Sequence, residues 1–332
     1  MQTGYAELLW EKLFEQAGAY EALKGGDTSR VRYDGYRDKE WGIRDKNAKN
    51  RMRLAYYMLY SRIDDETVVT YLFREECRDR RTNSFQGIGF TLNVLTAILN
   101  RYCADGKYDE LFEEAKNANF DCACGYDKDY QMCDEIASLD LMDCIFLSQD
   151  LDYKDVMEVL VAEWKNGMTE WTDECRTTLI GFYSFLGKEQ EKEALYKELL
   201  ENAVRSGNNL QIVSAYNKVV RYYIDRKQFE TARFYLQEMI TKTNMKAVWG
   251  IRLFDKALEA CLEIICGDPK EAPELWKWAK PYLQKRTGWY GNLYTKGIAA
   301  AKCVGDPYAA QLEQEYLSWK AEISTALSSK KP

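Results

Sequence analysis

Apolar residues recur three and four apart along most of the chain, the period of an amphipathic helix, and short polar or glycine-bearing breaks separate the runs. Leu8, Leu9, Leu13 and Ala17 mark a first helix, closed by Lys24-Gly25-Gly26-Asp27-Thr28-Ser29 and a charged connector to about Asp34. A long helix is predicted from Asp38 to Arg62, its apolar side emerging at Leu54, Met58 and Leu59. Asp64-Asp65 reads as an N-cap pair, since a short acidic side chain accepts from the unpaired amides of a first helical turn. Glu66-Thr67-Val68-Val69-Thr70 is the best strand-like run, but helix formers flank it. Five prolines and abundant Glu, Lys, Leu and Ala favour helix throughout, so the expected class is all-α.

Further along, the helices fall into pairs. The sharpest unit is Leu210 to Thr243, with Tyr216, Val219, Val220 and Tyr223 on its first helix. A turn at Arg226-Lys227-Gln228 leads to Phe229, Ala232, Leu236 and Met239 on the second. Leu95 to Ala115 makes a similar pair around Asp105-Gly106-Lys107, and a third runs from Tyr183 through Gly187-Lys188 to Leu200. Gly267-Asp268-Pro269 and Gly305-Asp306-Pro307 share one logic: glycine stops a helix, aspartate caps the next, and proline fits its first turn.

The unit from Leu210 to Thr243 resembles a tetratricopeptide repeat, a helix hairpin of about 34 residues. Tyr223, Phe229, Ala232 and Leu236 stand at that repeat's aromatic, aromatic, small and large positions. A lone hairpin cannot bury its apolar face, so neighbours must stack. The resemblance implies an α-solenoid of such hairpins, a right-handed superhelix, over residues 63–332, continuous with an N-terminal helical cap at 1–62. In this family the first helix of each pair lines a concave groove. Carried over, that places Asn217 and Arg221 on the groove wall, and Asn93 and Asn100 on that of the Leu95 unit. An asparagine amide offers donor and acceptor to a peptide backbone, and an arginine fork suits a carboxylate.

Composition narrows the chemistry. The chain has no histidine, which removes Ser-His-Asp and Cys-His nucleophile arrangements and HExxH zinc sites within one chain. Carboxylate or thiolate catalysis stays open as an alternative class. Met1 to Glu21 lacks the basic start and apolar block of a targeting signal, and no run reaches the length of a membrane span. A cytoplasmic protein with free thiols is expected, needing no cofactor and no metal. Cys122, Cys124, Cys133 and Cys144 lie near one another, but their spacing matches no zinc motif, and buried thiols are the better reading. Gly87-Ile88-Gly89 lacks the rest of a nucleotide fingerprint, and Arg78, Arg80 and Arg81 beside it read as a solvated helix end.

Charge is uneven. From Asp105 to Glu174 there are 20 acidic residues against 5 basic, whereas Arg30 to Arg62 holds ten basic against four acidic, interleaved with Tyr33, Tyr36 and Trp41. Such a basic run can bind nucleic acid, but the low isoelectric point and the acidic segment favour pairing within the chain. Asp127, Asp129, Asp134, Glu135, Asp140 and Asp143 crowd one region, where an acidic surface would steer a basic partner. The expected function is therefore non-enzymatic protein or peptide binding, as an adaptor or peptide receptor, through the groove or this acidic surface. A cytosolic immunity protein that neutralises a basic toxin is the alternative.

Overall fold

In the computed structural model, which describes residues 4–102, 106–285 and 290–328, the chain is helical apart from one two-stranded hairpin among those residues. It divides into two units, residues 1–170 and 171–332. Residue 62, the expected end of the cap, lies in the first.

Unit 1 comprises α1 (Tyr5–Phe14), α2 (Ala17–Lys24), β1 (Gly35–Asp38), β2 (Gly42–Asp45), α3 (Ala48–Tyr60), α4 (Glu66–Thr82), α5 (Phe90–Leu99), α6 (Asp109–Lys116), α7 (Phe120–Gly125), α8 (Leu141–Asp150) and α9 (Lys154–Asn166). The predicted helix from Asp38 begins ten residues later. Before it, β1 and β2 pair antiparallel, Gly35 opposite Asp45 and Asp38 opposite Gly42. Local polar groups outbid the helical pattern here. The Asp38 carboxylate accepts from the amides of Glu40 and Trp41 at 2.8 Å, closing the turn, and Asp45 accepts from those of Asp34 and Asn47 at 2.8 and 3.0 Å. Val68 and Val69 lie in α4, as the flanking helix formers require, and Asp65 caps it by accepting from the Val68 amide at 3.1 Å.

Arg51 of α3 is fully buried. Its guanidinium meets Asp45, donates twice to Glu76 at 3.0 Å and once to the Val31 carbonyl at 3.2 Å, and lies 3.7 Å from Asp79. Burial works against this cation, but Glu76, Asp45 and Asp79 outweigh it and hold its pKa above the usual arginine value. The cluster ties the hairpin to α3 and α4.

Unit 1 is not a nearest-neighbour stack. Helix α1 packs against α3 and also against the distant α8 and α9, with Trp10 stacked 6.1 Å from Tyr57 and Lys12 bonded to Asp155 at 3.1 Å. Helix α6 packs on α4 and α7, Phe112 meeting Phe73 edge-on at 6.0 Å, so the expected hairpin of Leu95 to Ala115 is replaced by a different pairing. Asp105 of its turn lies outside the described residues.

Unit 2 comprises α10 (Asp173–Leu186), α11 (Glu189–Ser206), α12 (Asn209–Asp225), α13 (Phe229–Lys242), α14 (Arg252–Gly267), α15 (Ala272–Lys285), α16 (Gly291–Cys303) and α17 (Tyr308–Ser328). Each helix packs on the next, and α12 packs on α14 and α14 on α16. Gly207 ends α11 in the left-handed conformation, and the Asn208 side chain caps α12 through the amides of Leu210 and Gln211. The pair α12–α13 matches the sharpest predicted unit almost residue for residue, with Ala232, Leu236 and Met239 fully buried. At the end of α14, a Cβ on Gly267 would drive into the Phe229 ring, so only glycine lets that ring close over the helix.

The second Gly-Asp-Pro site gives a pH prediction. The Asp306 carboxylate accepts from Lys280 Nζ at 2.8 Å, Trp276 Nε1 at 2.7 Å and the Tyr308 amide at 2.9 Å. Lys280 foremost, with Trp276 and Tyr308, lowers it from 3.8 to about 2. Because the folded-state pKa lies below the unfolded one, this stabilisation is complete above about pH 4 and is lost as pH falls through the folded value. Asp306→Asn should be less stable than the parent at pH 6, and its urea midpoint should fall less between pH 4 and 2.

Candidate functional site

Helix α12 carries polar residues in one stripe, Ser214, Asn217, Lys218, Arg221 and Asp225, and α14 carries another, Arg252, Lys256, Glu259 and Glu263. Both stripes follow the three-to-four spacing of a single helix face. Most of their other residues are apolar and buried, so the stripes run along the edge of the core where the two helices pack.

Between the stripes lies a cavity of about 310 Å³, lined by Ser214, Asn217, Lys218, Arg221, Arg252, Lys256 and Glu259 among others. Two further hollows adjoin it. One of about 370 Å³ shares Lys218 and Arg221, and one of about 590 Å³ shares Ser214 and Lys218 and reaches Asp173, Glu174, Thr177 and Thr178 of α10. Lys218 lines all three, so together they form one groove along α12.

Asn217 is the most constrained polar side chain in it. The residue is only 7% exposed, and its Nδ2 donates to the Leu253 carbonyl at 3.0 Å. A carbonyl only accepts, so this bond fixes the amide's orientation. The other end, Oδ1, is buried without a hydrogen-bond partner. An unsatisfied acceptor at a cavity wall is costly unless something donates to it.

Arg221 does not wait for a ligand. Its fork is closed on Glu263 by two bonds of 2.8 and 2.9 Å, with Asp225 3.6 Å away. The carboxylate clamp expected from sequence is therefore formed inside the chain. Lys296 of α16 bonds both Glu259 and Glu263 at 2.7 Å, Tyr290 donates to Glu259, and Arg252 lies 3.3 Å from Glu259 and 4.5 Å from the Tyr290 ring. Burial alone would raise both glutamates; for Glu263 the bonds from Arg221 and Lys296, and for Glu259 those from Lys296 and Tyr290, overcome it and hold the carboxyls below the usual range. This network clamps α12, α14 and α16 together and keeps the wall rigid. Lys218 and Lys256 are exposed and make no ion pair among the described residues, so the cavity mouth keeps positive charge for a ligand.

Most of the other expected site residues are engaged elsewhere. Asn100 stands in a 3-10 turn and donates to the carbonyls of Lys128 and Tyr130 at 2.9 and 3.1 Å, tethering a loop, while Asn93 is half-buried on α5. Neither joins Asn217 on a common wall within unit 2. Of the acidic residues, Asp134 accepts from Arg62 at 3.1 Å and Arg101 at 3.0 Å, and Glu135 from Arg62 at 3.0 Å. Asp140 and Asp143 form the capping box of α8, and Asp127 closes a turn on the Asp129 amide at 3.0 Å. The basic run thus pairs with the acidic segment inside unit 1, as Arg53 also does by donating to the Leu151 carbonyl at 2.7 Å. Cys122 and Cys144 are buried, and Cys133 lies 3.2 Å from the Ser138 hydroxyl.

Sequence reading missed Lys218, Arg252, Lys256, Glu259, Glu263 and Lys296. The stripe at 252, 256, 259 and 263 in an otherwise apolar helix was a usable signal, whereas its pairing with Arg221, 42 residues away, was not. Compared with protein-family models, curated proteins and solved structures, the chain matches none. No helix among the described residues is long and apolar enough to cross a membrane.

Proposed function

We propose that this chain is a non-enzymatic peptide-binding protein whose second unit is a tetratricopeptide-like array coiled into a right-handed superhelix, with the groove along α12 as its inner wall. The order of packing supports the array: the first helices of successive pairs, α12, α14 and α16, lie side by side while α13 and α15 join them. The observation that carries the binding reading is the buried, unpartnered Oδ1 of Asn217, a residue that lines a cavity flanked by Lys218 and Lys256. An extended segment of a partner protein would donate a backbone N–H to Oδ1 and bring an acidic group to the two lysines. Arg221, Arg252, Glu259 and Glu263 of the wall are held in ion pairs, which suits recognition better than proton transfer. The acidic surface of unit 1 carries no comparable case, because Asp134 and Glu135 already serve Arg62 and Arg101, and Asp140 and Asp143 a helix cap.

The test uses an array of acetylated, C-terminally amidated decapeptides graded from acidic to basic. Acidic members should bind the full chain, with affinity falling as salt rises. Lys218→Glu combined with Lys256→Glu should weaken them at least about tenfold, as loss of charge-assisted bonds would. No binding across the array, or equal binding by the charge-reversed chain, would overturn the reading.

A further inference from the structure

Cys266 and Cys303 close the last turns of α14 and α16, and both are free and exposed. Lys296 fixes the register of these two helices by bonding Glu259 and Glu263 at 2.7 Å. Cys266 lies seven residues beyond Glu259 and Cys303 seven beyond Lys296, so this bonded pair brings the two cysteines level on neighbouring helices. The helices pack directly on each other, so that register is held by the core and not by a loop. Cys266 also lines a hollow of about 540 Å³ with Leu262, Glu263, Thr295, Lys296 and Ala299. That gives a small oxidant access from one side. Most other cysteines of unit 2 lack this setting, Cys261 being wholly buried.

We propose that Cys266 and Cys303 are a modification site that forms a reversible intramolecular disulfide with oxidants of the small-molecule disulfide class, glutathione disulfide being the probe. One cysteine, as its thiolate, displaces one glutathione thiolate and leaves a mixed disulfide. The other, losing its proton to solvent, then attacks the sulfur of the first and expels the second glutathione thiolate. Two protein thiols are oxidised to one disulfide, and one glutathione disulfide is reduced to two glutathiones. The bond closes a loop of 36 intervening residues that contains α15, fastening α14 to α16 beside the groove. This inference rests on the matched register of the two cysteines and stands whether or not the groove binds peptide.

The full chain is incubated with glutathione disulfide, remaining thiols are alkylated, and the digest is analysed by mass spectrometry. The expected product is a 266–303 linked peptide that dithiothreitol dissolves, with Tm raised by roughly 5–10 °C. In either serine variant the remaining cysteine should stop at the glutathione adduct. A stable glutathione adduct on either cysteine of the unsubstituted chain, or full alkylation of both thiols after incubation, would overturn the proposal. Parent-like melting of both serine variants before oxidation shows that the readout is not one of misfolding.

Discussion

Arg51→Ala should lower the stability of the first unit by about 3–5 kcal/mol, read as a drop in urea midpoint followed by tryptophan fluorescence. The size follows from what is left behind. Asp45, Glu76 and Asp79 have side chains no more than 2% exposed, and Arg51 is the cation that faces all three. Arg80, itself mostly buried, reaches Glu76 and Asp79 but not Asp45. Without Arg51 the Asp45 carboxylate keeps two backbone amides but loses its counter-charge in a site that water does not reach, and the β1–β2 hairpin loses its anchor. Arg53→Ala is the contrast. That residue is partly exposed and bonds a carbonyl and the edge of a surface carboxylate, so its loss should cost about 1 kcal/mol or less. If the two variants proved equally stable, the buried cluster would not be what holds the hairpin.

Asn217→Leu should weaken binding of the acidic decapeptides by about 10- to 100-fold, measured by fluorescence anisotropy, while the chain still melts cooperatively. Leucine nearly preserves the volume, so the surrounding packing of Val213, Tyr216 and Val220 is kept. What disappears is the acceptor at Oδ1 and the donor to the Leu253 carbonyl. The peptide N–H would then face an apolar wall, and an unmet donor costs more than a missing attraction. Charge reversal at Lys218 and Lys256 should change salt dependence as well as affinity, whereas Asn217→Leu should leave the salt dependence intact. A leucine variant that binds as well as the parent would remove Asn217 from the site.

Helix content was legible because period and capping chemistry are local. The cap at Asp65, the Gly305-Asp306-Pro307 junction and the α12–α13 hairpin all depend on residues within a few positions of one another. The hairpin at 35–45 was not legible, because the residues there follow no apolar alternation, and the decisive contacts reach from Asp45 to Arg51 and on to Glu76. The candidate site divides in the same way. Asn217 stood out as a polar residue on a predicted inner helix, yet the tie to Leu253 that frees its Oδ1 spans 36 residues.

By itself the sequence determined that the chain is helical, where several helices of the second unit begin or end, and that histidine chemistry is closed to it, since each of these follows from residue identity and short-range spacing. Tertiary structure alone decided which charges are committed and which remain. Arg221 was consumed by Glu263 and Asp134 by Arg62 and Arg101, while Lys218 and Lys256 were left at the cavity mouth. The reason is physical: an ion pair depends on where two side chains end in space, and helices that pack side by side bring together residues whose separation along the chain carries no pattern.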